Sequence, residues 1–237
     1  YAWALQQQAA YVIAPYPIVL SSQKQIPERT ILSLPRILFD REMPALQKAL
    51  QTLREKGFRK AMASNLSHIE LLREFPEICC DMFFNLTNSE AVKQLEFYAG
   101  NLLFAGLSAE LNIRELAEVV STVPAAVPVY GYLPVMVTEN CLKKTALGHC
   151  KKVPLQLIDR KGEGFYVDCL PGCRNEIFNS HPLFMAGRLR EIKGIEYFIL
   201  SFTFETVEQC ENIISMYRLN KGNMETFTRG HFYRGVL

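Results

Sequence analysis

Short apolar runs alternate with amphipathic stretches between residues 30 and 138. Ile31–Leu34 and Phe58–Ala63 are apolar and short, as buried strands are. Between these two runs, four apolar residues recur at helical spacing: Met43, Leu46, Leu50 and Leu53. The pattern therefore predicts a strand, a helix and a second strand.

The same alternation continues along the chain. It predicts three further strands: Cys79–Leu86, Leu102–Leu107 and Val127–Val137. It predicts a helix before each of these strands: Ser67–Phe75, Ala91–Tyr98 and Asn112–Val120. Strands that alternate with helices form βαβ units, so we expect an α/β fold of partial TIM-barrel-like βα units.

Chemistry in such folds lies at the carboxyl ends of the strands. Five polar residues follow predicted strands: Asn85, Ser108, Glu110, Thr138 and Asn140. Each is also a residue type that caps helices or forms turns. Both interpretations stay open from the sequence.

The alternation stops after Thr138. Val153–Ile158 and Gly164–Asp168 flank a polar turn and predict a β-hairpin insert. We expect Glu176–Leu189 to be partly helical and Ile195–Phe202 to be a strand. We expect a last helix at Glu205–Tyr217. We thus divide the chain into an N-terminal lead-in (1–29), βα-barrel-like units (30–138) and a cysteine-rich region (139–237) with a hairpin and a final βα unit.

Composition narrows the class of protein. The 237 residues are 49% hydrophobic and 21% charged, and no apolar run reaches the roughly 18 residues of a membrane helix. Residues 139–237 carry 14 Lys and Arg against 11 acidic residues, while residues 1–138 carry 12 against 13. This mild positive excess is compatible with RNA or another anionic ligand. The chain starts in mid-pattern without Met, so we expect the intact protein to have a further N-terminal portion.

Four of the seven cysteines lie within one stretch: Cys141, Cys150, Cys169 and Cys173. They flank turns and the predicted hairpin, whereas Cys79, Cys80 and Cys210 lie in a predicted strand and helix, as buried thiols do. An odd cysteine count without a secretory signal favours reduced thiols and a cytoplasmic protein. Converging thiolates bind zinc, copper(I) or an iron–sulfur cluster, and the wide first spacing, C-x8-C, favours a cluster over zinc.

Basic residues supply candidates for anion binding. Arg229, His231 and Arg234 surround glycines in the C-terminal tail, where guanidinium groups could clamp a carboxylate or phosphate. Arg174 and Arg188 are further candidates, and a solvated surface role is the alternative for all five. The phosphate-loop, nucleophile-elbow and H-E-x-x-H motifs do not occur. A Cys/His nucleophile pair stays open.

Several sequence motifs are shared with a known family. They are YGYLPVMVTENC at 130–141, CLPGCR at 169–174, NSHPL at 179–183 and TRGHFYRG at 228–235. With the upstream segments FNLTN and LFAGLSAEL, the chain resembles the collagenase-like peptidase family, unclassified peptidase family thirty-two, over most of residues 30–237.

The resemblance implies more than the family name. Its better-understood members carry out oxygen-independent hydroxylation of ribosomal RNA, transfer RNA or the ubiquinone ring, with a [4Fe–4S] cluster on four cysteines. The RNA-modifying members depend on prephenate. The resemblance makes Cys169 and Cys173 cluster ligands and Cys141 and Cys150 the upstream pair, although that pair is usually closer and glycine-rich.

We therefore expect the C-terminal part of an RNA-hydroxylating enzyme that acts on ribosomal or transfer RNA. A peptidase of the collagenase-like type and a non-catalytic zinc-binding module are the alternatives. The early barrel units of the family have no counterpart here, which again implies a longer intact enzyme.

Overall fold

The computed structural model describes residues 1–149 and 155–236, which form two compact units. Unit 1 comprises residues 1–127 and 192–198 and the tail from residue 231 onward. Unit 2 comprises the described residues of 128–191 and 199–230. Two strands cross the division: β6 (Ala125–Gly131) and β12 (Tyr197–Leu200).

Unit 1 is built around a curled, half-barrel parallel sheet. Its other strands are β1 (Val12–Pro15), β2 (Thr30–Ser33), β3 (Lys60–Ala63), β4 (Glu77–Cys80) and β5 (Leu102–Gly106). Its helices are α1 (Tyr16–Ser21), α2 (Met43–Glu55), α3 (Ser67–Leu71), α4 (Ser89–Ala99) and α5 (Ile113–Glu118). The strands pair in chain order, β1 to β6, and all of these pairs are parallel.

Burial explains why these segments pair as they do. Strand β2 buries Ile31 and Leu32 completely, and α2 buries Leu46 and Leu53 on the face that follows the helical period. Each such side chain contributes about 1.5–3 kcal/mol relative to an exposed position. Parallel strands in α/β folds are covered on both faces, so apolar runs without alternation are their signature.

Caps fix where the helices of unit 1 begin. The Asn88 side chain accepts a hydrogen bond from Ala91 N, and the Asn112 side chain accepts from the backbone of the first turn of α5. These contacts satisfy amides that a helix leaves unpaired at its start. The α/β fold of partial-barrel βα units is thereby confirmed, and the residues before Thr30 add a paired strand, β1, to it.

Unit 2 contains a separate antiparallel sheet. Its strands are β7 (Pro134–Thr138), β8 (Leu155–Ile158), β9 (Gly164–Leu170) and β10 (Arg174–Phe178), in the order β7-β10-β9-β8. The short strand β11 (Leu183–Phe184) pairs with the end of β6. The helices of the unit are α6 (Leu142–Leu147) and α7 (Val207–Arg218). The predicted hairpin is confirmed as β8 and β9, although Val153 and Pro154 lie outside the described residues.

Three segments differ from the prediction. The strand expected at Cys79–Leu86 ends at Cys80, and a 3-10 turn follows at Met82–Phe84. The single strand expected at Val127–Val137 is two strands in different sheets, because the chain turns after Gly131, whose φ is +127°. A Cβ at Gly131 would lie 2.3 Å from the Ser201 carbonyl oxygen. Glu176–Leu189 is not partly helical as predicted: it contains most of β10 and all of β11, with only a 3-10 turn starting at Leu189.

Within the part of the chain that the structure describes, no helix combines the length and apolar character needed to cross a membrane.

Candidate metal centre

Strand register in unit 2 brings two cysteine-bearing segments to one buried residue. Strand β10 lies between β7 and β9, and its Asn175 is opposite Thr138 on one side and Cys169 on the other. Cys141 follows Thr138 by three residues and immediately precedes α6. Cys141 and Cys169, 28 positions apart in the sequence, therefore belong to segments that meet at Asn175.

The Asn175 side chain connects these two segments directly. Its Nδ2 donates a hydrogen bond to Cys169 Sγ at 3.3 Å, and its Oδ1 accepts one from Leu142 N at 2.7 Å. Asn175 has no exposed surface, and Nδ2 also donates to the Arg174 carbonyl at 3.1 Å. A buried amide needs partners for its polar atoms, so this network fixes the start of α6 relative to Cys169.

Cys173 lies in the tight turn between β9 and β10. Gly172 and Cys173 both have left-handed backbones, with φ of +78° and +61°. Glycine takes this conformation freely, whereas a side chain such as that of cysteine is strained there by about 1–3 kcal/mol. The Cys173 side chain is exposed, while Cys141 and Cys169 are half-buried. A cysteine in this backbone conformation motivates the hypothesis that its sulfur has a functional role.

The fourth predicted ligand, Cys150, lies outside the described residues, with the adjacent Lys151 and Lys152. Among residues 1–149 and 155–236, no group of three or more His, Cys, Asp or Glu side chains is close enough together to hold a metal ion. The assembled four-cysteine site stays a prediction.

Two basic residues of the cysteine-bearing segments are largely buried. Lys143, in the first turn of α6, keeps 6% of its surface exposed, and Arg174, directly after Cys173, keeps 4%. Long basic side chains bury their aliphatic stems while the charged end keeps its own contacts. The sequence pattern does not predict that Lys143 is buried, because the next residue, Lys144, is exposed.

The other anion-binding candidates of unit 2 have protein partners. An Nη atom of Arg188 donates to Glu191 Oε1 at 2.8 Å. The guanidinium of Arg229 donates to the Phe184 carbonyl and lies over the Phe227 ring, with 4.5 Å between Cζ and the ring centroid. Arg229 thus holds the chain before the tail against β11. Anion binding by these arginines stays a prediction.

The tail candidates belong to different units. Arg229 is part of unit 2, whereas His231 and Arg234 are part of unit 1. Within unit 1, His231 and Arg234 share a turn, and Ile113 N donates to the Phe232 carbonyl at 3.0 Å. This backbone contact anchors the tail beside α5.

Polar residues also gather at the strand ends of unit 1. Ser108, which follows β5, donates its hydroxyl to Asn85 Oδ1 at 2.5 Å and accepts from Glu110 N at 3.2 Å. These three residues lie at the carboxyl end of the parallel sheet, as the sequence predicts. Thr138 and Asn140 do not: they follow β7 of the antiparallel sheet, so their assignment to a barrel strand is wrong.

Asp81 at the same edge of unit 1 was not found from the sequence. It directly follows β4, accepts from Phe83 N at 2.8 Å and is hydrogen-bonded to Ser64. Burial raises the pKa of its carboxyl to about 6, against the lowering effects of these hydrogen bonds and of the Arg36 charge. The signal was the end of the apolar run at Cys80, which the overlong strand prediction concealed.

Thiols outside the four-cysteine group are poor nucleophiles. Burial raises the pKa of Cys79, Cys80 and Cys210, which keeps each sulfur protonated near neutral pH. His68 is fully buried, and burial lowers its pKa to about 4, so it is neutral. Its Nδ1 accepts from Ser64 N at 3.1 Å. These groups serve the core.

The fold and site together define an α/β protein with a half-barrel parallel sheet and a cysteine-bearing antiparallel sheet. Comparison with protein-family models, with curated proteins and with solved structures found no match.

Proposed function

We propose that this chain is the cluster-bearing part of an oxygen-independent, prephenate-dependent enzyme that hydroxylates ribosomal or transfer RNA in the cytoplasm. Cys141, Cys150, Cys169 and Cys173 hold the [4Fe–4S] cluster. The chain is part of a larger protein similar to the collagenase-like peptidases, whose N-terminal portion completes the barrel.

The Asn175 amide carries this proposal. A side chain that donates to Cys169 Sγ while accepting from the residue after Cys141 orders two ligand segments at once. Hydrogen bonds to ligand sulfurs are a regular outer-shell feature of metal centres, and they tune iron–sulfur clusters. The cysteine sulfurs suit a [4Fe–4S] cluster, because thiolates are the usual ligands of iron–sulfur clusters.

Ligand convergence is coupled to metal binding. Thiolate sites are rarely preformed, and binding free energy orders the ligand segments. The half-buried Cys141 and Cys169 and the exposed Cys173 are accessible to an incoming metal. When bound, a cluster of this kind supplies one-electron chemistry.

The residues of the chain itself have separate tasks. The cysteines bind the cluster, Asn175 orients the ligand segments, and Lys143 and Arg174 supply positive charge in the same segments of the chain. At the carboxyl end of the unit 1 sheet, Asp81 holds or releases a proton near neutral pH. Burial raises the pKa of Cys79, Cys80 and Cys210, so none of these three thiols supports the alternative of a cysteine peptidase.

A nucleoside comparison tests the proposal. In cells that lack the full-length gene, one hydroxylated nucleoside of ribosomal or transfer RNA should disappear, as measured by mass spectrometry of digested RNA. The wild-type gene and its Cys210→Ser variant should restore the nucleoside, and Cys169→Ser should not. An unchanged nucleoside profile in the deletion strain would overturn the RNA-hydroxylating function.

A further inference from the structure

Asp81 lies at the carboxyl edge of the unit 1 sheet, with its backbone fixed by both neighbouring strands. Its amide donates to the Ala63 carbonyl at the end of β3, at 3.1 Å. On the β5 side, a Cβ at Gly106 would lie 2.6 Å from the Asp81 carbonyl carbon, so the two strands can approach this closely only with glycine there. The ends of β3 and β5 thus determine where the carboxyl lies.

The Asp81 carboxyl is held by hydrogen bonds that do not require a charge. Its Oδ1 accepts from Phe83 N at 2.8 Å, and the carboxyl is hydrogen-bonded to the side chain of Ser64. Ser64 keeps 5% of its surface exposed. An asparagine or serine side chain would cap this turn as well, without a charge to desolvate. Capping of the turn therefore does not explain a carboxyl in this position.

Opposing influences leave this carboxyl able to gain or lose a proton near neutral pH. Asp81 is half-buried, so part of its surface stays accessible. Burial raises the pKa of the carboxyl to about 6, against the lowering effect of the Arg36 charge. The Arg36 guanidinium lies over the Phe83 ring, with 4.3 Å between Cζ and the ring centroid. The Asp81 carboxyl thus combines access with a proton that it can exchange.

Two further titratable groups lie against this part of the sheet, and neither changes its charge near neutral pH. Cys80 directly precedes Asp81, and burial raises the pKa of its thiol. His68 accepts from Ser64 N at 3.1 Å through Nδ1, and burial lowers its pKa to about 4. Asp81 is therefore the group of this cluster that exchanges a proton, beside the permanently charged Arg36.

We propose that Ser64 and Asp81 form an acid–base site at the carboxyl edge of the unit 1 sheet, and that this site takes a small molecule with a hydroxyl group. The Ser64 hydroxyl and the Asp81 carboxyl both hydrogen-bond the ligand hydroxyl. The ionised carboxyl accepts the proton of that hydroxyl, and the protonated carboxyl returns it. Both residues belong to unit 1, so the site depends neither on the thiolate centre nor on the RNA substrate.

Esterification by a diazoacetamide tests this site in the full chain. The reagent reacts with a protonated carboxyl: the proton moves to the diazo carbon, the carboxyl oxygen bonds to that carbon, and dinitrogen leaves. Its rate therefore reports both access for a small molecule and a proton held near neutral pH. At about pH 6.5, Asp81 should be esterified at least about tenfold faster than the exposed Asp40, because an ordinary exposed carboxyl is almost fully ionised there. Mass spectrometry of peptides measures both rates.

Matched serine variants test the role of Ser64. Its hydrogen bond lowers the pKa of Asp81, so Ser64→Ala should keep the carboxyl protonated to higher pH. At about pH 7, esterification of Asp81 should then be roughly threefold faster than in wild type. Ser108→Ala removes another buried hydroxyl at a strand end and should leave the rate unchanged. Asp81→Asn gives the background of the measurement.

Two outcomes would overturn the acid–base site. The first is esterification of Asp81 in the folded wild-type chain that is no faster than that of Asp40, as for a carboxyl that is sealed in the core or ionised. The second is an equal rate at Asp81 in Ser64→Ala and Ser108→Ala. The iron content of the same preparations is measured separately, so loss of this site and loss of the thiolate centre are distinguished.

Discussion

Replacing Cys169 with serine should leave the anaerobically purified full chain without most of its iron and without the brown colour of an iron–sulfur protein. A hydroxyl is a hard donor that binds iron–sulfur cores poorly, and serine at this position also removes the sulfur that accepts from Asn175. Iron analysis and visible absorption of the purified variant measure the effect.

Other cysteine variants separate a ligand from a merely structural thiol. Cys173→Ser and Cys150→Ser should lose iron as Cys169→Ser does. Cys210→Ser is the matched control, because Cys210 is a buried thiol of the same unit on α7 and should keep its iron. Retention of the full iron content by Cys169→Ser, with loss in Cys210→Ser, would show that the ligand assignment is wrong.

Replacing Asp81 with asparagine should stabilise unit 1 by about 2–3 kcal/mol at neutral pH, because the wild-type chain must ionise a buried carboxyl there. The pKa of Asp81 is about 6 in the fold against 3.8 when unperturbed. A difference of one unit corresponds to about 1.4 kcal/mol. Asparagine keeps an acceptor for Phe83 N and carries no charge to desolvate.

The pH dependence has a definite sign. Between 3.8 and about 6 the folded chain binds the Asp81 proton and the unfolded chain has lost it. Wild-type stability therefore falls as the pH rises through this window and then levels off, whereas Asp81→Asn lacks this decrease. The two proteins should be equally stable near about pH 3, where the carboxyl is protonated in both states.

Urea unfolding followed by the fluorescence of Trp3, the single tryptophan of the chain, reports on unit 1. Asp40→Asn is the control, since Asp40 is exposed in the same unit and should change stability little. A stability difference between wild type and Asp81→Asn that is the same at pH 3 and pH 7 would contradict the burial of an ionised Asp81. A carboxyl that lowers stability at a strand end is the kind of group that α/β enzymes retain for acid–base work.

The parallel half-barrel could be predicted from the sequence because its signals are local. Apolar runs, helical spacing and the Asn88 and Asn112 caps each lie within one segment. The chain reversal after Gly131 was missed, because Tyr130 to Val137 contains no charged residue and was assigned to one strand despite Gly131 and Pro134. Close approach of Ser201, 70 residues later, is what requires glycine at that turn.

The sequence predicts candidate ligands for the site, and it does not predict the residues that support them. Cysteine spacing and turn chemistry single out Cys169 and Cys173 from the sequence. Asn175 has no sequence signal, because its role comes from the register of β10 between two strands. The start of the segment predicted to be partly helical, Glu176 to Phe178, is β for the same reason, since pairing on both sides outweighs local preference.

Metal analysis of the full wild-type chain, purified without oxygen, tests the proposed centre most directly. We expect about four irons with matching acid-labile sulfide per chain, as for a [4Fe–4S] cluster, and no stoichiometric zinc. A colourless chain with about one zinc ion would contradict the cluster and favour a zinc-binding module. A chain free of both metals would contradict the thiolate centre altogether.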